Sequence, residues 1–160
     1  MNKSFHTHDH DYCIANGIKA AVEICKATNL RLTPIRRRVL EILLSEHRAM
    51  GAYEVLSILQ SEDFANKPPT VYRALDFLVA NGFAHKIECL NAFVSCNNMG
   101  LNHSPTFLIC RSCGHVAESQ TTSPVATLDS VAHRTGFTIE STTLEAKGLC
   151  PACVMAKPCT

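Results

Sequence analysis

The sequence predicts an α+β protein with a helical N-terminal half and a small mixed C-terminal half, and three observations lead to this expectation. Four short segments before Gly82 carry apolar residues at helical spacing. Two short runs with strand-like composition follow them. Two Cys-x-x-Cys pairs then lie in a region where strand and helix signals alternate. The change of pattern between the halves predicts two domains.

Composition limits the class of protein. A chain of 160 residues that is 46% hydrophobic is long enough for one or two small domains with real cores. Nine cysteines without an apolar leader segment favour a reducing compartment, which we expect to be the cytoplasm. No apolar run reaches the roughly 18 residues of a membrane span. The net charge is only +1, but the basic residues concentrate before Glu88, so a nucleic-acid surface would lie in that half.

Apolar periodicity and end signals define the elements of the N-terminal half. Pro34 and Pro69 suit the first turn of a helix, and Gly82 is a typical C-terminal stop. The predicted elements are helices over residues 11–28, from Pro34 onward, over 52–60 and over 67–81, and a hairpin of strands 84–88 and 92–96.

Short helices followed by a hairpin are typical of the winged-helix plan, in which the last helix enters the major groove of DNA. On that helix Val71, Ala74, Leu75 and Leu78 share one face, which leaves polar residues outward. Arg73 can reach base edges, and Tyr72 can contact a thymine methyl group or a phosphate. The alternative is a helical core with a surface arginine and tyrosine. The predicted DNA-binding residues are Arg36, Lys67, Thr70, Tyr72 and Arg73.

The C-terminal half begins after a polar, turn-rich stretch. Residues 97–105 read as a hinge linker between a DNA-binding domain over 1–96 and a dimerisation domain over 106–160. Strands are predicted over 106–110 and 115–119, a helix from Pro124 to Gly136 with Val125, Leu128, Val131 and Ala132 inward, and a strand over 137–146. So small a sheet with one helix cannot bury both faces, which predicts a homodimer through this half.

The two dithiols supply enough thiolate for a closed tetrahedral zinc site. Cys110, Cys113, Cys150 and Cys153 would hold structural zinc and leave no open coordination position. The alternative is a pair of redox dithiols or disulfides. A redox Cys-x-x-Cys opens a helix after a strand, whereas each pair here follows a strand-like run and lies in a turn.

Four further residues around the linker can bind a second zinc ion. His85, Cys96, His103 and Glu118 offer two imidazoles, one thiolate and one carboxylate. Because they come from both halves of the chain, an ion bound to all four would make the protein a metal sensor. Each residue also has a simple structural alternative, for example Cys96 as a small buried hydrophobe.

Two observations lie outside these sets. The tract with His6, His8 and His10 can bind metal weakly or be a solvated tail. An enzyme is the other class considered, with a zinc deaminase as the nearest candidate. That chemistry needs a His-x-Glu and a proline before the Cys-x-x-Cys, and neither occurs here. The sequence therefore indicates a protein that is not an enzyme.

Five segments between about Ala20 and Val154 resemble the ferric uptake regulator family of metal-dependent repressors, and its zinc-responsive members in particular. They are RLTPIRRRVLEIL, AYEVLSILQ, KPPTVYRALDFLVANGFAHKIE, FLICRSCGHVAES and EAKGLCPACV. The resemblance implies a structural zinc ion on the four cysteines and a regulatory zinc ion on His85, Cys96, His103 and Glu118. It also implies that Tyr72 and Arg73 are the recognition-helix pair.

The function implied by the resemblance is repression of zinc uptake genes. A dimer would bind palindromic operator DNA when zinc fills the hinge site, with no membrane and no small organic substrate involved. Alternatives are a relative that senses iron or peroxide, and a structural zinc protein without a role on DNA. The linker offers His103 but not the histidine cluster of iron- and peroxide-sensing members. Cys159 and the N-terminal histidines fall outside the shared pattern and leave an accessory metal site open.

Overall fold

The computed structural model describes residues 10–46, 48–64, 67–101, 103–120 and 123–156. They form two compact units, an N-terminal unit that ends at Leu101 and a C-terminal unit that follows it. The expected α+β class is confirmed. His6, His8 and Cys159 lie outside the described residues. Among the helices described, none combines the length and the apolar character that crossing a membrane requires.

The N-terminal unit contains the predicted four helices and hairpin. Their ends differ from the predicted ones by one or two residues, and a short 3-10 turn over Glu88–Leu90 joins the strands. The elements are α1 (His10–Ala27), α2 (Pro34–Ser45), α3 (Ala52–Ser61), α4 (Pro68–Ala80), β1 (Ala84–Ile87) and β2 (Ala92–Ser95).

The core of this unit is the set of apolar positions that recur at helical spacing. Leu40 and Leu43 of α2, and Leu75 and Leu78 of α4, are completely buried. β1 and β2 pair antiparallel, and Met50 bridges to Phe93 with N–H to carbonyl distances of 2.8 Å in both directions. The hairpin is thereby attached to the helices, because the segment between α2 and α3 adds to its edge.

A glycine turn ends α4 and starts the hairpin. The Phe83 N–H donates to the Leu78 carbonyl oxygen at 2.8 Å, and the Gly82 N–H donates to the Val79 carbonyl oxygen at 3.1 Å. This pairing is the Schellman motif, which needs a residue with positive φ at the position of Gly82, where φ is 69°. Phe83 is fully buried, and its ring centroid lies 6.2 Å from that of Phe77.

The C-terminal unit contains one small mixed sheet. Its strand order is β4-β3-β5, with β3 antiparallel to β4 and parallel to β5. The elements are β3 (Pro105–Cys110), β4 (Val116–Gln120), α5 (Ser123–Thr135), β5 (Leu144–Gly148) and α6 (Pro151–Met155). The helix α6 was not among the predicted elements, although Pro151 at its first turn is a start signal.

The strand predicted over residues 137–146 is wrong in extent. The observed strand covers Leu144–Gly148, and residues 137–143 are not in a strand. The reason lies in the register, because β5 runs parallel to β3 and Leu144 pairs with Thr106. Thr143 would have to pair with Pro105, which begins β3 and has no N–H to donate, and still earlier residues would need partners before the start of β3.

The inward face predicted for the helix of this unit is also wrong in part. Ala132 is buried, but Leu128 and Val131 are each 42% exposed. The side chain of Val125 is outside the described residues. The three short strands of one protomer offer too little apolar surface to cover both faces of the helix. An apolar stripe therefore stays on the surface of the single chain.

We expect Gly82→Ala to lower the free energy of unfolding of the N-terminal unit by about 1–2 kcal/mol. The cause is backbone strain, because an alanine at positive φ brings its Cβ too close to the following carbonyl group. No atom lies within 4 Å of a Cβ built at this position, so a steric clash does not contribute. Denaturant titration measures the difference.

Gly82→Asn is the matched control, because asparagine tolerates the left-handed region better than alanine. It should lose less stability than the alanine variant. Equal stability of both variants and the wild-type chain would contradict the role given to Gly82.

Candidate metal centres and DNA-binding surface

The first candidate metal centre lies at one end of the C-terminal sheet. Cys110 ends β3, Cys113 follows in the turn, and Cys150 and Cys153 lie at the start of α6 and within it. Because Cys110 pairs with Gly148 in the parallel register, the two Cys-x-x-Cys segments are brought side by side.

The spacing of the sulfur atoms fits a tetrahedral zinc ion. All four Sγ atoms lie within 4.8 Å of one another, and Cys113 Sγ lies 3.7 Å from Cys150 Sγ. Four zinc–sulfur bonds of about 2.3 Å in tetrahedral geometry place the sulfur atoms roughly 3.8 Å apart. The cysteines predicted as structural ligands therefore come together as predicted.

Hydrogen bonds within this cluster stabilise a thiolate at Cys110. The backbone N–H groups of Cys113 and Cys150 lower the pKa of Cys110 to about 5, so that its thiolate is the stable form at neutral pH. The Ser112 hydroxyl alone would lower the pKa of Cys153, but the thiols of Cys150 and Cys113 and burial together raise it to about 12. Several thiolates this close repel one another, and a bound zinc ion removes that repulsion.

Two of the other predicted ligands lie together in the C-terminal unit. His103 Nε2 is 2.8 Å from Glu118 Oε1. The side chain of Glu118 is only 2% exposed, and that of His103 is 10% exposed. A carboxylate this deeply buried needs a partner such as this imidazole, and both groups are ligand types for zinc.

The remaining two predicted ligands lie together in the N-terminal unit. His85 is on β1, opposite Val94, and Cys96 directly follows β2. A ring nitrogen of His85 and the sulfur of Cys96 lie within 4.8 Å of each other. The Cys96 N–H donates to the Phe83 carbonyl oxygen at 3.0 Å, which holds the cysteine beside β1.

Cys96 also contacts the segment that follows it. The Asn98 N–H donates to Cys96 Sγ at 3.3 Å. Part of the predicted linker therefore belongs to the N-terminal unit, because Met99 also packs on that unit's core.

The predicted DNA-binding residues lie mainly on the outward side of α4. Lys67, Thr70, Tyr72 and Arg73 are exposed near its N-terminus, while Val71 and neighbouring apolar residues are buried beneath them. Tyr53 was not among the predicted DNA-binding residues, although it is the second residue of α3 and is 69% exposed. Its ring packs edge-on against that of Tyr72, with centroids 6.5 Å apart, and thereby limits the positions open to Tyr72.

Three of the six arginines of the N-terminal unit pair with carboxylates among the described residues. Arg38 binds Glu62 through two hydrogen bonds of 2.6 and 2.7 Å, which hold the pKa of Glu62 below its usual value. Arg37 pairs with Glu41 one turn along α2, and Arg48 pairs with Glu54.

Arg73 differs from these residues. Within the residues that the structure describes, no carboxylate pairs with it. Arg73 therefore keeps its positive charge uncompensated on the exposed face of α4. Such a charge is available to a phosphate or a base edge without first breaking an ion pair.

Arg36, also predicted to bind DNA, has partners within the unit. The carbon atom of its guanidinium group lies 3.6 Å from the ring centroid of Phe77. Its Nη1 donates to the Arg31 carbonyl oxygen at 2.7 Å.

These features define a winged-helix protein whose second unit carries a cluster of four cysteines. The Ferric uptake regulator family model matches residues 27–147. The "Zinc uptake regulation protein" of Escherichia coli (strain K12) is 39% identical over 140 residues, which cover 87% of this chain and 82% of the relative. This chain belongs to the ferric uptake regulator family, which is a family of regulators and not of enzymes.

Two solved structures are similar to the whole chain. One is a zinc uptake regulator complexed with zinc and DNA, with a TM-score of 0.83 and 37% identity over 93% of this chain and 97% of that one. The other is the holo form of a protein called XcZur, with a TM-score of 0.80 and 43% identity over 87% of this chain and 97% of that one. The family resemblance inferred from the sequence is confirmed.

We expect Cys153→Ser to lower the zinc content by about one ion per protomer, because a hydroxyl group is a poor replacement for a thiolate in a four-sulfur site. The C-terminal unit should also unfold at a lower temperature, since zinc binding contributes to its folding. Metal analysis and thermal unfolding measure both effects.

Cys89→Ser is the matched control, because Cys89 is exposed in the 3-10 turn and lies outside both ligand sets. It should keep the full zinc content and the wild-type melting temperature. Full zinc retention by the Cys153 variant would exclude the four-sulfur site.

Proposed function

We propose that this protein is a zinc-responsive transcriptional repressor that binds operator DNA as a homodimer and represses zinc uptake genes. The observation that carries the proposal is a pair of metal-binding residues in each unit, one pair beside β1 and the other on β4 and just before β3. The zinc- and DNA-bound relative supports the same function. We expect the protein to act in the cytoplasm.

The proposed regulatory ion is zinc, bound jointly by His85, Cys96, His103 and Glu118. Two imidazole nitrogens, one thiolate and one carboxylate oxygen form a set that suits tetrahedral zinc. A soft thiolate disfavours ferrous iron, which prefers octahedral oxygen and nitrogen ligands. Together with the four-cysteine site, this gives two zinc ions per protomer. Mild chelation should remove the regulatory ion and leave the structural one.

Zinc at this site would link the two units. His103 and Glu118 belong to the C-terminal unit, while His85 and Cys96 belong to the N-terminal unit. One ion bound by both pairs would restrict the orientation of one unit relative to the other. To shift a population from ~1% to ~99% in one orientation, zinc must favour that orientation by about 5.5 kcal/mol.

The DNA contacts that we propose start from α4. In a winged-helix protein the residues near the N-terminus of this helix reach into the major groove. Arg73 would bind a guanine through two hydrogen bonds, and Tyr72 would contact a thymine methyl group or a phosphate. Lys67 and Thr70 would contact phosphates, which sets the register of the helix on the duplex. Arg36 belongs to the predicted set, but its contacts support a different role, described below.

The proposed homodimer forms through the C-terminal unit. Leu108 on the central strand is 41% exposed, and Leu128, Val131 and Phe137 are exposed as well. So many exposed large apolar side chains on one small unit are typical of an interaction surface. A second copy of the unit carries the same apolar side chains, so a two-fold pair can bury them against each other. A dimer also presents two α4 helices to the two half-sites of a palindrome.

We expect Cys96→Ser to abolish or strongly weaken zinc-dependent DNA binding and to spare the structural zinc. The measurement is fluorescence anisotropy with a duplex selected from a random pool by the zinc-loaded wild-type chain. Parallel titrations with iron and manganese should not restore binding. Cys89→Ser again serves as the control. Unchanged zinc dependence in the Cys96 variant would exclude Cys96 from the site, and stronger activation by iron would exclude a zinc sensor.

We expect Val131→Glu to shift the protein from dimer to monomer, because a buried unpaired carboxylate is costly in an apolar interface. Analytical ultracentrifugation measures the mass. The control is Ala126→Glu, at an exposed position of α5 five residues earlier and on a different side of the helix, which should leave the mass unchanged. If both variants remain dimers, the interface lies elsewhere.

A further inference from the structure

The side chain of Arg36 is held from two sides within the N-terminal unit. Its guanidinium lies over Phe77, with the central carbon 3.6 Å from the ring centroid. One of its nitrogens donates to the Arg31 carbonyl oxygen in the turn before α2. A guanidinium suits this arrangement because it binds an aromatic face and an acceptor at the same time.

Phe77 connects this arginine to the helix that carries Arg73. It lies four residues after Arg73 on α4, so both side chains share one face of the helix. Phe77 also contacts Phe83, with centroids 6.2 Å apart and ring planes at 38°. Arg36, Phe77 and Phe83 therefore form a continuous chain of contacts, which we call the α4 stack.

The α4 stack spans three elements that determine the orientation of α4. Arg36 belongs to α2, Phe77 to α4, and Phe83 to the turn into β1. The Phe83 carbonyl oxygen also accepts the N–H of Cys96. The stack thus joins the C-terminal half of α4 to α2 on one side and to the base of the hairpin on the other.

We propose that Arg36 is a positioning residue, which fixes the orientation of α4 through Phe77 and does not itself contact DNA. The inference rests on the proposed function, because it concerns how α4 is presented to an operator. A contact with phosphate would require the guanidinium to leave both Phe77 and the Arg31 carbonyl. Among the described residues no carboxylate pairs with Arg73, whereas Arg36 already contacts Phe77 and the Arg31 carbonyl, and this difference separates the roles of the two arginines.

The test compares DNA binding by Arg36→Lys, Arg36→Met, Phe77→Leu and the double variant Arg36→Lys/Phe77→Leu. The probe is the duplex selected by the zinc-loaded wild-type chain, and a shuffled duplex of the same composition measures non-specific binding. Arg37→Lys and Arg37→Met are the matched controls, since Arg37 lies beside Arg36 on α2 and pairs with Glu41. Each affinity is measured over a series of salt concentrations, with circular dichroism as the check of folding.

A positioning role predicts a loss of about three- to tenfold in specific affinity for Arg36→Lys, because an ammonium group cannot replace the planar guanidinium on the ring. Non-specific affinity should change less, so the ratio of specific to non-specific affinity falls. A general loss of stability would lower both affinities together. The double variant should lose little more than Phe77→Leu alone, because both changes break the same contact. The salt dependence of Arg36→Met should match that of wild type.

A phosphate contact gives the opposite results. Its removal in Arg36→Met would lower the slope of log K against log salt by about 0.9 per protomer, and Arg36→Lys would keep most of the affinity. Either result, or additive losses in the double variant, overturns the inference. If Arg36→Met does not fold, the affinities of Arg36→Lys and of the double variant decide between a positioning role and a phosphate contact. Failure of the proposed function is distinguishable, because the wild-type chain itself would then select no duplex in a zinc-dependent manner.

Discussion

The constraint on which the C-terminal unit rests is the convergence of four cysteine sulfur atoms at one end of its sheet. The sheet has three short strands, and Leu108, Leu128 and Val131 remain exposed, so one protomer buries only a small apolar core in this unit. The two Cys-x-x-Cys segments meet only because β3 and β5 pair in parallel. Without a cation, the close sulfur atoms would oppose that pairing once more than one is ionised. A metal ion bound to the four cysteines, as proposed, would therefore stabilise both the cluster and the topology of the sheet around it.

The N-terminal unit is stabilised differently, by a core of fully buried apolar side chains from its helices and the start of its hairpin. Such a core tolerates exposed polar residues on the outer face of α4, where Tyr72 and Arg73 lie. The turn at Gly82 ends this helix and places His85 and Cys96 beside each other on the hairpin. The residues proposed to read DNA thus lie on α4, and the residues proposed to bind metal lie on the hairpin that follows α4 after the turn at Gly82.

Most of this fold could be predicted from the sequence because its strongest signals are local. Helical periodicity and the positions of Pro34 and Gly82 are properties of neighbouring residues, and they located α2 and α4 within one or two residues. The strand over residues 137–146 was mispredicted because β-branched composition does not reveal whether a partner strand exists. The exposure of Val131 was mispredicted as well, because it depends on which distant parts of the fold pack against this side chain. The four cysteines were predictable because metal-ligand spacing is a local pattern.

The roles of the arginines could not be predicted from charge and position alone. Arg36, Arg37 and Arg38 are adjacent and equally basic in the sequence, yet they bind an aromatic ring, one carboxylate and two carboxylates respectively. An arginine that already has a partner must give up that interaction before it binds a phosphate, so its contribution to DNA affinity is reduced by that loss. Arg73 has no carboxylate to leave within the described residues. The proposed electrostatic footprint on DNA would therefore be narrower than the run of basic residues in the sequence indicates, and it would centre on α4.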